Sequence, residues 1–499
     1  MKRIDQVFAQ WAQAQPERIA LRDARRVVHY GELDAMIDRV AQHLQEAGIR
    51  AGDRVLLVGE NSVAAALTIL AVSRLRAWSA SVNARLSPRE IDNFLQHSGA
   101  RRALYFASGS ADAERHGIAR HAERVQWDGI DSLLMGPLNA ATSAEPASPD
   151  VAALVYTSGT TGASKAVMLT HANLLFIGAN SQRMRALVPT DVIYGVLPLS
   201  HVYGLSALLV AALISGAELM LVARFEPKLL AQALSSQGVT VLHGVPAMYA
   251  KLLALADEGN ELSAPTLRVA QSGGAPLSAS VKADFERCFG LPLHNGYGMT
   301  EAAPSICQTR MDAPRTDCSV GQCIDGIRVR LDGADTHPEQ IGELQVSGPN
   351  VMAGYYRAPE LTAQALTDDG WLRTGDLARI DADGAVHIVG RCKELIIRSG
   401  FNVYPVEIEQ VLNAYPGVVQ SAVIGRAADD NEEVLAFIEL GVGVSLDRAD
   451  LQRWLAANLS PYKIPAKIFV VASLPAAASG KLQKRELPAL ARALEARDG

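Results

Sequence analysis

Apolar positions along the chain gather into short continuous runs separated by longer segments with helical spacing. Residues 55–58 are apolar without interruption, as in a strand buried on both faces, and residues 62–75 follow as an apolar helix. Strand-like runs recur at 19–21, 102–106, 192–197, 218–222 and 239–243, with helical patterns between them. Such alternation predicts an α/β protein of parallel sheets covered by helices. The longest apolar stretch, 202–223, has the length of a membrane span. Gly216 and Glu218 divide it into a helix of about two to three turns and a short strand, so no stable membrane insertion is expected.

Beyond Glu343 the texture changes. Short strands are predicted at 343–346, 371–374, 377–380 and 386–389, the last preceded by the turn Asp-Ala-Asp-Gly, and together they form a smaller β-rich subdomain. After Lys393 a second α/β texture begins, with strands at 395–397, 418–424 and 434–440 and a helix at 406–414. Residues 139–149, rich in Ala, Ser and Pro, read as a surface linker. These shifts divide the chain into an N-terminal domain at 1–390, a hinge at 391–393 and a C-terminal domain at 394–499.

The 499 residues are 49% hydrophobic and 20% charged, which suits a soluble globular protein of more than one domain. With a net charge of −6 and only short basic clusters such as Arg25-Arg26, no nucleic-acid partner is expected. The five cysteines, Cys288, Cys307, Cys318, Cys323 and Cys392, are odd in number and lack Cys-x-x-Cys spacing, which argues against a zinc site or a disulfide framework. Asp5, Gln13 and Glu17 interrupt the amino terminus, so it does not read as a signal peptide, and the protein is placed in the reducing cytoplasm.

Chemistry concentrates in residues 156–171, Tyr-Thr-Ser-Gly-Thr-Thr-Gly-Ala-Ser-Lys-Ala-Val-Met-Leu-Thr-His. They follow a strand-like run at 151–155 and precede a helix-compatible segment at 172–186, so they are predicted to form a strand-to-helix turn. Gly159 and Gly162 free the backbone to turn N–H groups inward, Thr157, Ser158, Thr160 and Thr161 add hydroxyls, and Lys165 adds charge. Such a loop holds phosphate. It is not a Walker A loop, because Ala163 and Ser164 separate Gly162 from Lys165; a plain Ser/Thr/Gly turn is the alternative. Residues 156–165 resemble the phosphate-loop signature of the adenylate-forming superfamily, which includes acyl-CoA synthetases, aryl-CoA ligases, peptide-synthetase adenylation domains and luciferases.

Further segments extend the resemblance in the expected order. Residues 295–301, Asn-Gly-Tyr-Gly-Met-Thr-Glu, match a motif in which Glu301 and Thr157 contact Mg²⁺, Thr300 contacts the α-phosphate and Tyr297 stacks on adenine, with Asn295, Gly296, Gly298 and Met299 completing the nucleotide wall. Gly273, Gly274, Ala275 and Pro276 match positions lining the adenine and acyl pockets. Asp376 matches the ribose-binding acid and Arg391 its assistant. Lys393 matches a hinge about which the small domain rotates between half-reactions, after which Ser399, Gly400 and Phe401 face the pantetheine of coenzyme A. Lys481, in Ser-Gly-Lys, matches the catalytic lysine brought in by the C-terminal lid. Two positions depart from the pattern: Ala166 replaces the usual Gly after the loop lysine, and Ile397, beside Arg398, replaces a Lys common in aryl-CoA ligases.

The resemblance implies a large domain of stacked αβα sheets with a β-rich subdomain and a small mobile α+β lid. The implied activity is an ATP-, Mg²⁺- and coenzyme A-dependent acid:CoA ligase working through an acyl-AMP. Loading of a carrier-protein phosphopantetheine and a silent nucleotide-binding regulator are the alternatives. A homodimer, and a lysine acetyltransferase acting on Lys481, are the macromolecular partners considered. For the acid, the resemblance implies an open cavity floor at Gly296 and Gly298, where acetyl-specific relatives carry Trp at the latter, disfavours a dicarboxylate because Asn295 and Gly296 stand where malonyl-activating relatives place Arg, and disfavours an amino acid because Val202 replaces their Asp. His201, Tyr203, Val245, Met248, Ala303 and Ile306 form an apolar channel with Gly274, which suits a medium-chain fatty or aromatic acid; His201 could instead be a structural histidine.

Overall fold

The computed structural model describes residues 2–140, 150–157, 165–257, 259–332, 340–398, 401–428, 431–441, 443–476 and 482–498. Two large sheets build the N-terminal part. Among the described residues one has eight strands, centred on the buried Arg54–Val58, which runs parallel to Trp78–Val82 on one side and to Arg102–Tyr105 on the other. The other has nine, and its middle runs through Leu293–Gly298, Val269–Gly273, Val241–Gly244, Val192–Gly195 and Glu218–Leu221, each parallel to the next. Helix Val63–Arg74 is apolar on nearly every side and packs into the core these sheets share. Ser62 starts it by accepting from the Ala65 N–H at 3.1 Å.

The sheets are mixed rather than purely parallel. Val27–His29, Ser305–Gln308 and Gln322–Cys323 close the nine-stranded sheet with antiparallel edges. A larger correction concerns the expected phosphate-binding segment, whose flanks are two antiparallel strands and not a strand and a helix. Lys165–Thr170 pairs with Val151–Thr157, bringing Lys165 opposite Thr157 and Val167 opposite Val155. The apolar positions 166–169 are all buried by this pairing, which outweighs any local helical preference. The helix begins only at His171, where Thr170 and Asn173 exchange capping bonds of 3.1 and 2.9 Å.

The stretch at 202–223 resolves into a π-helix at Tyr203–Val210, an α-helix at Ala211–Ser215 and the strand Glu218–Leu221. Gly216 ends the helix at φ +75°, and a Cβ there would lie 2.6 Å from the Trp11 ring. Among the described residues no helix is long and apolar enough to cross a membrane. In the β-rich part the strands expected at 371–374 and 377–380 are one strand, Leu372–Ile380, whose bulge after Leu377 lets it continue across the irregularity. The C-terminal domain carries a hairpin, Val418–Ala428 with Asn431–Leu440, and a parallel third strand Lys467–Val471. Helices Pro405–Asn413 and Arg448–Asn458 supply Ile408, Leu412, Leu451 and Leu455 to a core separate from the main one.

Asn61 ties the two large sheets together. Its Nδ2 donates to the Gly195 and Leu197 carbonyls, both at 2.9 Å, and its Oδ1 accepts from the Leu199 N–H at 2.8 Å, with the residue 6% exposed. Asn61→Ala leaves the Leu197 carbonyl and the Leu199 N–H without their partner, while the Gly195 carbonyl keeps the Val222 N–H, and is expected to lower the free energy of unfolding by about 2–4 kcal/mol, measured by urea denaturation; a change within 0.5 kcal/mol, roughly the size of an ordinary surface substitution, would refute this role.

Candidate functional site

A cleft of about 930 Å³ opens where the strand ends of both sheets meet the C-terminal domain. Three clusters of side chains organise it. At the first, Thr157 and Lys165 stand at the two ends of the hairpin that carries residues 158–164. Lys165 Nζ sits 4.8 Å from the Tyr355 ring centroid, and the Tyr355 hydroxyl donates to Glu301 Oε1 at 2.7 Å. Burial, aided by the adjacent Glu301 carboxylate, pushes the Tyr355 phenol well up, so it stays a donor. A cation, a hydroxyl and a carboxylate thus surround one mouth of the cleft. Thr300, 7% exposed, is adjacent in the short 3-10 turn Thr300–Ala302.

The second cluster is set by strand register. Asp376 lies opposite Arg391 in the ladder between Leu372–Ile380 and Val386–Arg391, and Arg391 Nε approaches its Oδ1 at 3.0 Å. The Tyr297 hydroxyl donates to the other oxygen, Oδ2, at 2.5 Å. Tyr297 and Arg391 line the cleft, with Asp376 held just behind them. Burial and the Asp376 charge hold the Tyr297 phenol well above its ordinary range. The third cluster comes from the C-terminal side, where Lys393, Glu394, Ala476, Gln483 and Arg485 line the cleft. Ala476 pairs with Leu482 across an isolated bridge, joining the two ends of the segment that contains Lys481. Lys484 binds Glu394 at 2.9 Å and Glu409 at 2.8 Å, which anchors the chain just after that segment beside residues 391–394.

Of the residues singled out in the sequence, Thr157, Lys165, His201, Tyr203, Val245, Gly273, Gly274, Ala275, Gly296, Tyr297, Gly298, Met299, Thr300, Glu301, Arg391 and Lys393 are brought together around this cleft. Ser158, Gly159, Thr160, Thr161, Gly162, Ser399, Gly400 and Lys481 lie outside the described residues. Pro276, Asp376, Ala303 and Phe401 are not among the lining residues. Nor is Asn295, whose amide donates to the Cys318 and Ser319 carbonyls at 3.1 and 3.3 Å. Phe401 is 53% exposed and stacks on Tyr462 at 4.4 Å. Arg398 donates to the Tyr462 and Ile464 carbonyls. Tyr355 and Lys484 carry no motif; an aromatic following Gly354 was the sole trace of the former.

The expected apolar acyl channel needs correction. Ala303 and Ile306 are wholly buried in the main core and do not reach the cleft. The open floor inferred from Gly298 does not follow either, because a Cβ there would lie 2.0 Å from the Pro304 carbonyl oxygen. Met299 N–H bonds that same carbonyl at 2.9 Å, so the glycine serves a close backbone approach. Gln271 and Gln308 add polar groups to the cleft wall, and a buried polar layer lies behind Tyr203. Parallel register aligns His243, Gln271 and His294 in one row across three strands, and the Tyr203 hydroxyl meets His243 Nδ1 at 3.2 Å. Arg185, 1% exposed, donates to Gln308 Oε1 at 2.6 Å and to the Thr309 carbonyl at 3.3 Å. Burial, then the Arg185 charge, pushes His243 down to about 3, and the same two causes with Lys282 push His294 down to about 4.

A family model described as AMP-binding enzyme matches residues 8–356, and one described as AMP-binding enzyme C-terminal domain matches residues 407–481. The chain is 35% identical over 489 residues to a feruloyl-CoA synthase from an Amycolatopsis species, covering 95% of this chain and 96% of that protein. It is 34% identical over 481 residues to a 2-succinylbenzoate–CoA ligase from Geobacillus kaustophilus, covering 95% of each. Among solved structures, O-succinylbenzoate coenzyme A synthetase from Bacillus subtilis, in complex with ATP and magnesium ion, superimposes with a TM-score of 0.81 at 29% identity, covering 98% of this chain and 99% of that one.

Both row histidines have folded-state pKa values below their unfolded value near 6.5, so their contribution to stability is complete above roughly pH 6.5 and is lost as pH falls toward about 4. Each is expected to add up to about 1.4 kcal/mol per pH unit to that loss. Urea midpoints between pH 7.5 and 4.5 should show a shallower slope in His294→Asn than in the wild type; parallel slopes would contradict the burial of a neutral imidazole there.

Proposed function

Since the chain belongs to the AMP-binding, adenylate-forming enzyme family and is an ATP-dependent acid:CoA ligase, we propose that its cleft activates an aromatic carboxylic acid, with the work divided among the three clusters. The substrate carboxylate attacks the α-phosphorus of ATP, the bond to the bridging oxygen breaks and pyrophosphate leaves. The thiol of coenzyme A then attacks the carbonyl carbon of the acyl-AMP, the C–O bond breaks, AMP leaves and the thiol proton is released. No enzyme nucleophile is required.

The loop between Thr157 and Lys165 holds the phosphates, Thr300 contacts the α-phosphate and Lys481 meets the charge growing on the departing pyrophosphate. Tyr297 packs on adenine and orients Asp376, which with Arg391 holds the ribose. Magnesium, when bound, shields the phosphate charge. Glu301 and Thr157 would hold it, and one carboxylate with one hydroxyl suits an ion that keeps phosphate and water as its other ligands. Tyr355 positions the Glu301 carboxylate for that purpose. Residues 391–393 are the hinge, and the segment 399–401 meets coenzyme A after rotation. The pools of ATP and coenzyme A that the reaction draws on fit a cytoplasmic enzyme.

The observation that carries this division is that Thr157, Lys165, Glu301, Tyr297 and Arg391 line one cleft with Ala476 and Gln483, which flank Lys481 in the chain. An aromatic acid is favoured over an unsubstituted fatty acid on two grounds. The Tyr203 ring lies 3.2 Å from the Cβ position of Gly273, giving a flat wall, and Gln271, which lines the cleft, offers a polar side chain that a purely aliphatic tail would not use. The activities named for the feruloyl and 2-succinylbenzoate relatives agree.

Pyrophosphate release over a panel of aromatic and aliphatic acids should be strongest with aromatic ones and should yield the CoA thioester. Lys481→Ala is expected to slow pyrophosphate release roughly 10²- to 10³-fold while thiolation of supplied acyl-AMP continues; equal loss of both steps would defeat the assignment. Lys393→Pro should slow thioester formation more than adenylation, and an unchanged second step would remove the hinge from this position.

A further inference from the structure

Cys307 and Cys323 take no part in the reaction proposed above, yet they stand directly opposite one another where Ser305–Gln308 pairs with the edge strand Gln322–Cys323. The Ile324 N–H bonds the Ile306 carbonyl at 3.0 Å, which makes Ile306 and Ile324 the hydrogen-bonded pair and leaves the cysteines as the neighbouring non-hydrogen-bonded pair. Opposed residues share a face of the sheet, and in such a pair the Cα atoms are about 4.5 Å apart, inside the range of about 4.4–6.8 Å that a disulfide spans. Both are free thiols, Cys307 wholly buried and Cys323 partly exposed, and Cys307 donates a hydrogen bond to Cys323. That bond, with burial, pushes the Cys307 thiol well up, and the same bond holds Cys323 below its ordinary range, so the more accessible sulfur is also the better nucleophile.

Each cysteine is linked to a different wall of the cleft. Cys307 lies opposite Tyr297 on the next strand, so Tyr297, Cys307 and Cys323 form one row across three strands. Cys323 is tied the other way: the Val320 N–H bonds the Val386 carbonyl and the Val386 N–H bonds the Gly321 carbonyl, both at 2.9 Å, and Val386 begins the strand that ends at Arg391. A disulfide needs Cβ atoms about 3.8 Å apart where an open cross-strand pair holds them at about 4.5–5.5 Å, so closing it draws the two strands together. That displacement reaches Tyr297 from one side and Arg391 from the other, the two groups that hold Asp376.

We infer that Cys307 and Cys323 are an oxidisable dithiol site that takes a hydroperoxide as its oxidant and, once closed to a disulfide, weakens the hold of the cleft on ATP. The Cys323 sulfur attacks one peroxide oxygen, an S–O bond forms, the O–O bond breaks and the departing hydroxide takes up the thiol proton as water. The Cys307 sulfur then attacks the Cys323 sulfur, the S–S bond forms, the S–O bond breaks and a second water leaves with the Cys307 proton. Two electrons pass from the sulfurs to the peroxide. Thiol exchange reopens the bond, as suits a transient disulfide in a reducing compartment. The effect on ATP rests on the nucleotide roles proposed above for Tyr297, Asp376 and Arg391; the disulfide itself does not.

The test treats the full-length protein carrying Cys288→Ser and Cys318→Ser with hydrogen peroxide and digests it with trypsin without reductant. Those changes leave one cysteine in each of the peptides 288–310 and 316–328, so a cross-linked mass that dithiothreitol splits identifies the Cys307–Cys323 bond. In calorimetric titration MgATP should bind about fivefold or more weakly to the oxidised than to the reduced protein, and dithiothreitol should restore the affinity. Cys323→Ser and, independently, Cys307→Ala should each keep one affinity before and after peroxide; both retain Cys392, so oxidation in the hinge would still show. Absence of the cross-link, a cross-link with unchanged affinity, or an equal loss of affinity in the two variants would each overturn the inference while leaving the ligase intact. Failure of the reduced protein to bind MgATP would overturn the nucleotide roles and this effect with them, whereas the cross-link is read by mass alone.

Discussion

Parallel pairing of Val241–Gly244, Val269–Gly273 and Leu293–Gly298 is the constraint on which the cleft depends. Parallel strands point their carboxyl ends the same way, so the loops that leave them emerge along one edge. That edge brings Val245, the Gly273-Gly274-Ala275 turn and residues 296–301 into one wall although they are far apart in the chain. The same register sets His243, Gln271 and His294 side by side beneath it. One pattern of backbone hydrogen bonds thereby places both the turns of the cleft wall and the polar row at one edge of the sheet.

Second to the sheet comes the pairing of buried polar groups. Asp376 is 4% exposed and holds both Tyr297 and Arg391, so the aromatic wall and the cation are positioned by one carboxylate. Glu301 is held the same way by Tyr355. A side chain restrained before its ligand arrives loses less entropy on binding, which is the physical value of these internal bonds at a site that must orient a charged nucleotide. Lys484 does comparable work for the C-terminal side, since its two carboxylate partners tie it to Glu394 and to helix Pro405–Asn413.

Much of the fold was legible because its strands are continuous apolar runs and its helices have clear starts. The run at 55–58 is within the strand Arg54–Val58, and Ser62 and Leu75 are the caps of helix Val63–Arg74. The failures have a common origin in pairing. Lys165–Thr170 looked like a prelude to a helix and became a strand because Val151–Thr157 was available to pair with it. The strand Leu372–Ile380 looked like two because a bulge hides its continuity from a period-two pattern. The acyl wall looked apolar because Gln271 and Gln308 lie in segments whose neighbours are small or hydrophobic.

By itself the sequence determined the α/β class, the order of the motifs and the chemistry they bring, because hydroxyls, glycines and lysines at close spacing express their properties locally. Only the tertiary structure decided what those residues touch. Tyr355 reaches Glu301 across 54 positions and Arg185 reaches Gln308 across 123, distances over which no periodicity carries information. Gly298 needs no side chain because the Pro304 backbone approaches it, a fact about packing that no run of residues discloses. Local chemistry is written along the chain, whereas burial and partnership arise from which distant strands come to lie together.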